Sequence, residues 1–219
     1  MKLHEVKLRP EATTISREEY LDKTCRLMPE LSSGSFASVY SEPRSSTVTK
    51  VTKLATPPSG DPYFQYIRYC MKLKNNPFLP RFYSVRVFHC PHEKKQGDEF
   101  YGVITMEKLI GHGDLPKNTE IEAGDFYDQY MQLRNEIVWR QDRDGNDVGY
   151  IETTPTFDSL FKVLIHSTRN VHLATAFKVL RNLLKRRKGF VDIHKANLMW
   201  RHEEGNVYQL VITDPFAQF

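Results

Sequence analysis

The order in which two hydrophobic periodicities appear along the chain constrains its fold more than any other feature. In the first half, short runs rich in β-branched and aromatic residues alternate with turn signals. These runs are Phe36–Ser41, Thr47–Lys53, Arg81–Cys90 and Phe100–Glu107. Each has the length and composition of a strand. "SEPRSS", "PPSGDP", "NNPFLP" and "HEKKQGDE" separate them and supply the glycines, prolines and asparagines that turn a chain. One helix interrupts the strands, over Tyr63–Leu73, with Tyr63, Ile67, Cys70 and Met71 on one face. Asn75, Asn76 and Pro77 end it.

The second half changes period. Phe126, Tyr130, Leu133 and Ile137 recur at helical spacing within Asp125–Trp139, and Arg140–Tyr150 then reads as a loop. Thr156–Thr168 reads as a helix. Val171–Arg187 is a second, with a core stripe of Val171, Ala174, Phe177, Leu180, Leu183 and Leu184, stopped by Gly189. Two short strands joined at Glu204-Gly205-Asn206 close the chain. The expected class is α+β, with a β-rich part at 1–110 and a small helical part with a terminal hairpin at 111–219. Gly111-His112-Gly113 is the candidate hinge between the two.

Composition narrows the classes of function. No apolar run approaches the ~20 residues that span a bilayer, so no membrane partner is expected. The first twenty residues lack the continuous apolar core of a secretory signal. Cys25, Cys70 and Cys90 are odd in number and scattered, as expected of a reducing cytosol. "FHCPH" (Phe88–His92) has too few ligands for a structural zinc site. A net charge of +4 is a weak argument for direct nucleic-acid binding. Lys185-Arg186-Arg187-Lys188, the densest basic run, reads first as a solvated helix end and second as a contact for an acidic partner or phosphates. Trp139 and Trp200 read as packing residues.

Polar residues fall in a telling order on this framework. Gly34, with Ser35 and Phe36, lies in a turn between two strands, which is either a plain hairpin turn or, since a missing Cβ lets backbone N–H groups approach phosphate oxygens, a phosphate loop. Lys50 stands in a strand among apolar residues, where it is expected to point inward and need a counter-charge; an edge strand with Lys50 solvated is the equal alternative. Asp192 and Asn197 lie five positions apart in the loop that enters the terminal hairpin, and Asp214 ends its last strand. Pairing across the hairpin brings Asn197 and Asp214 together. An amide oxygen and a carboxylate are hard ligands of the kind Mg²⁺ takes, and Asp192 is placed to accept a proton from an attacking hydroxyl. Capping of loops by Asp and Asn is the plainer alternative.

The succession of a glycine turn, a strand lysine, Asp-x4-Asn and a later Asp resembles the protein-kinase signature set. "GSFASVYSEP", "VTKV", "VDIHKANLM" and "VITDPF" are most similar to the early Ser/Thr protein kinases of podovirus-type (autographivirus) bacteriophages. The resemblance runs from about Leu31 to Phe216, with a weakly matched middle. It implies a two-lobed kinase-like fold with a β-rich N-lobe and a truncated helical C-lobe. It implies ATP and Mg²⁺ as cofactors, with Lys50 on the α/β-phosphates, Asp192 as base, Asn197 and Asp214 on the metal, and Gly34, Ser35 and Phe36 as the phosphate lid. Glu107 and Leu109 become the backbone that meets adenine. The implied substrates are host proteins of transcription and RNA processing, RNA polymerase among them, phosphorylated in the host cytoplasm to shut off or redirect host functions.

The sequence departs from the kinase pattern in several places. Phe190 stands where kinases carry the His of His-Arg-Asp, and His194 where Ser/Thr kinases carry Lys. His194 orients Asp192 or meets the γ-phosphate, with Lys195 as the alternative cation. Asp214-Pro215-Phe216 replaces Asp-Phe-Gly, and proline restricts any flip there. The helix after Lys50 has no clear glutamate, leaving Asp61, Gln65 or Asp214 to take its role. Five residues follow Asp214, so the expectation is either a compact lobe that reads substrates through the helices of 115–168 or a cut from a longer protein. Two further readings therefore stand: a degenerate kinase-like protein that binds and inhibits a host protein without phosphoryl transfer, and a small-molecule kinase.

Overall fold

Alternating β-branched residues build a five-stranded antiparallel sheet in the first of two units. The structure is a computed structural model that describes residues 28–33, 37–54, 60–90, 99–116, 120–122, 140–141, 147–148, 154–186, 190–191, 193 and 197–217. Its sheet comprises β1 (Glu30–Ser33), β2 (Ala37–Tyr40), β3 (Thr47–Leu54), β4 (Phe82–Cys90) and β5 (Glu99–Glu107), in the order β1-β2-β3-β5-β4. The β3–β5 register runs unbroken from Thr47↔Glu107 to Leu54↔Phe100. Period-two alternation puts Lys50 on one face of β3 with Val48, Thr52 and Leu54, all three buried. Val51 lies on the opposite face, in a cluster with Phe88 and Val103 against which Met28 and Tyr40 pack.

The expected helix forms as α1 (Pro62–Lys72). Asp61 caps it: the Phe64 N–H donates to Oδ1 at 2.8 Å. Pro62 opens it, where a missing N–H costs nothing. The buried face is broader than the sequence stripe, adding Phe64 and Tyr66 to Tyr63, Ile67 and Cys70, while Met71 is half-buried. Burial also pushes the Cys70 thiol well above its ordinary range, leaving it an inert packing residue.

The second unit takes Leu109 through Ala217 and also Lys72–Pro80, which lies within the strand-rich half of the sequence. Several bonds hold that segment there, among them one from Asn76 Nδ2 to His172 O at 2.8 Å. Arg201 donates from Nη1 to Pro77 O at 2.7 Å and from Nη2 to Leu79 O at 3.0 Å, and Ile212 N donates to Phe78 O at 3.0 Å. The terminal hairpin is β10 (Leu198–His202) and β11 (Val207–Ile212), turning at Gly205, whose φ of 68° requires its missing Cβ. The strand β6 (Glu120–Glu122), which the sequence pattern did not signal, pairs in parallel with β11. The 140–150 stretch is not wholly loop: β7 (Arg140–Gln141) pairs with β8 (Asp147–Val148).

Helices α2 (Thr154–Ser167) and α3 (Val171–Arg186) pack on each other, with the Phe161 and Phe177 rings 6.0 Å apart. The α3 stripe differs from its sequence version at the first turn. Val171 is 70% exposed, and Leu173, Ala176 and Val179 are buried alongside Phe177, Leu180, Leu183 and Leu184. Asn170 caps the helix through Oδ1, which accepts from His172 N and Leu173 N. The expected helix at 125–139 lies outside the described residues, as does Trp139. Trp200 is 1% exposed, as a packing residue should be. Among the described residues, no helix is long and apolar enough to cross a membrane.

Candidate functional site

The open end of the β10–β11 hairpin is where the second unit gathers its site candidates. Register pairs Leu198 with Ile212, so the next facing residues are Asn197 and Thr213. The Asn197 carbonyl accepts two bonds there, from Thr213 N and Thr213 Oγ1, each at 2.9 Å. Asp214 follows immediately. The short strands β9 (Phe190–Val191) and β12 (Phe216–Ala217) then pair, with Val191 opposite Phe216. Two closures therefore bracket Asp214: Thr213 on Asn197 before it and Phe216 on Val191 after it.

Burial sorts the residues of this end by type. Ile193, Leu198, Ile212 and Phe216 are buried at 4% exposure or less. Asn197 and Asp214 among them are only half-buried. The apolar neighbours fix the backbone, and the amide- and carboxylate-bearing residues between them are partly exposed. That donor pair suits Mg²⁺, which takes one or two protein oxygens and keeps several waters. Asp192, His194 and Lys195 lie outside the described residues.

In the first unit, Lys50 points toward α1. Its Nζ donates to Tyr63 Oη at 3.1 Å and lies 4.3 Å from the Tyr63 ring centroid. Both contacts are compatible, since an ammonium above the hydroxyl edge of a phenol reaches oxygen and ring face together. The sequence offers Asp61, Gln65 or Asp214 as the partner. Asp61 is fully buried and serves as the α1 cap, and the Gln65 N–H donates to the Asp61 carbonyl at 3.1 Å. The Asp61-Pro62 pair carries a capping signal that a search for a carboxylate partner passes over. Tyr63 was read for its apolar ring alone, and its hydroxyl is the group that a lysine on the facing strand meets.

The strand-end residues Glu107 and Leu109 differ from each other. Glu107 is 6% exposed and doubly tied to Arg81: its N–H donates to Arg81 O at 3.0 Å and its Oε1 accepts from Arg81 N at 2.8 Å. Its N–H is thus taken within the sheet. Lys108 N donates to Ser46 O, and Ile110 exchanges two bonds with Trp200. No hydrogen bond joins the Leu109 backbone to another described residue. Gly34, Ser35 and Phe36 lie outside the described residues.

A second polar cluster, which the sequence reading did not single out, links α2 to α3. Asp158 pairs with Lys162 at 3.2 Å, with Lys185 at 3.4 Å and with Arg181 through a two-pronged bond. The Arg181 guanidinium first, then the two lysines, hold the Asp158 carboxyl well below the usual carboxylate range. Lys185, the first residue of the basic run, therefore has an internal partner. The Asp158–Lys162 spacing of four was visible in the sequence, but the two α3 partners required the helix pairing.

No known protein-family model matches the chain, and no curated protein matches it.

Proposed function

We propose that the protein is a kinase-like phosphotransferase that binds ATP with Mg²⁺ and transfers the γ-phosphoryl group to Ser or Thr of host proteins. One observation carries this reading. The doubly bonded Asn197 carbonyl holds the backbone of Asn197 against Thr213, and Asp214 follows Thr213 in the chain, so both residues belong to one end of the same hairpin. Chain connectivity puts Asp192 directly after Val191, which pairs with Phe216 just beyond Asp214. The resemblance to phage Ser/Thr kinases supplies the remaining assignments. These are a kinase-like arrangement of a β-rich and a helical lobe, a Gly34–Phe36 phosphate lid and host transcription machinery as substrate.

In this mechanism Asn197 and Asp214 hold the metal through oxygen, and bound Mg²⁺ supplies charge neutralisation on the phosphates. Lys50 contributes an ammonium that Tyr63 orients from below. Leu109 presents its backbone N–H and carbonyl to the adenine edge. Asp192 orients the attacking hydroxyl and takes its proton, with His194 or Lys195 beside the γ-phosphate.

Incubation of the purified chain with γ-labelled ATP, Mg²⁺ and host lysate is expected to label protein. Asp192→Ala is expected to lower that transfer by about two to four orders of magnitude. Absence of both transfer and ATP binding overturns the reading. A second reading, host-protein binding without phosphoryl transfer, draws support from the helix after Lys50, whose sequence offers no clear glutamate. ATP binding with no transfer under the same conditions selects it.

A further inference from the structure

The net charge of the chain conceals a segregation. Positions 154–186, which hold α2 and α3, carry six Lys and Arg against one acid, Asp158, a balance of +5. The rest of the chain has 25 cations against 26 acids and is −1. The whole positive excess thus resides in one helical hairpin.

The hairpin collects that charge on one face. Lys178, Arg181 and Lys185 follow one another at intervals of three and four on α3, and Lys162 and His166 at an interval of four on α2. The contacts of Asp158 with Arg181 and Lys185 bring the two rows side by side. Lys162 and Lys185 remain 54% and 49% exposed, and Arg169, His172 and Lys178 are exposed. The single acid is already shared among three cations, so it does little to repel a polyanion.

We propose that this α2–α3 face binds the phosphate backbone of double-stranded DNA without reading its sequence. Two features favour DNA over an acidic protein. Protein interfaces are depleted in lysine and anchored by aromatic side chains. Here lysines dominate, and the described aromatic rings of the hairpin, Phe161 and Phe177, are fully buried. Buried rings also offer no stacking platform for single strands. The α3 row from Lys178 to Lys185 extends about 10 Å along the helix axis, and a duplex presents about one phosphate charge per 1.7 Å of its axis. A rigid row of cations therefore meets a uniform row of anions. The inference is independent of the phosphotransfer reading, since none of these residues belongs to the site at Asn197 and Asp214.

Fluorescence anisotropy of the full chain against a labelled 24-base-pair DNA duplex tests it. The affinity should be equal for two unrelated sequences and fall steeply with KCl. A slope near −4 to −5 in log K against log salt is expected for about five neutralised phosphates. Lys178→Glu and Arg169→Glu should each reduce the slope by about one and together weaken binding at least about tenfold. If the double reversal does not fold, Lys178→Gln with Arg169→Gln should still lower the slope. No binding at 50 mM salt, or unchanged binding by folded charge variants, overturns the proposal. So does stronger competition by polyglutamate, which assigns the face to an acidic protein, or a preference for an RNA duplex of equal length. Asp192→Ala should bind DNA as the parent does, which separates this outcome from failure of the kinase reading.

Discussion

Asp158 and Asp214 are both half-buried carboxylates of the second unit, and the fold uses them in opposite ways. Asp158 lies between two helices with three cations around it, and its charge ties α2 to α3. Asp214 lies at the end of a strand whose backbone is pinned on both sides, by Asn197 and by the Val191–Phe216 pair. In the first case side-chain charge does the structural work. In the second, backbone bonds and buried apolar neighbours hold the end of the hairpin.

The largest effect separating the two should come from Asp214→Asn. Mg²⁺-dependent transfer is expected to fall by about two orders of magnitude or more, the scale for losing a group that stabilises transition-state charge, with an unchanged circular dichroism spectrum and melting temperature. A folded variant that keeps full activity breaks the contrast.

Thr213→Val comes next. It keeps the backbone bond to Asn197 and removes the Oγ1 bond, at a cost of about 0.5–1.5 kcal/mol. Urea unfolding should show this loss. If the pin positions the metal ligands, the Mg²⁺ concentration for half-maximal activity should rise as well. A stability loss with no change in Mg²⁺ dependence confines Thr213 to structure.

Asp158→Asn should be the mirror image of Asp214→Asn: a melting temperature lower by a few degrees, with transfer activity intact. Its pH dependence gives the sign. The folded carboxyl titrates below its unfolded value, so its contribution is complete above about pH 4 and is lost as pH falls through the lower folded value. The parent should therefore lose stability faster than Asp158→Asn on acidification below about pH 4. Parallel melting curves in acid break the comparison from the Asp158 side.

Local chemistry explains which features could be read in advance. Strands β2 to β5, helices α1 to α3 and the terminal hairpin each arise from a periodicity carried within the element, so their positions were legible. Lys50 shares a face of β3 with Val48, Thr52 and Leu54 because alternation in a strand needs no knowledge of the partner. The α3 stripe was mis-set at Val171 because the first turn of a helix is buried only if something packs over it. The β7–β8 pair was missed because two-residue strands hold too few side chains to show a period.

The sequence by itself determined the succession of elements, the turn at Gly205 and the residue types that a phosphate and metal site would require. Tertiary structure alone decided that Thr213 is the residue that ties Asn197 and that Tyr63 meets Lys50. It also decided that Arg201 captures the 77–79 backbone from 124 positions away along the chain and that three cations converge on Asp158. The physical reason is separation along the chain. Periodicity records how a residue faces its own neighbours, whereas these partnerships form only when distant segments meet and each buried polar group must find the donor or acceptor that packing has placed beside it.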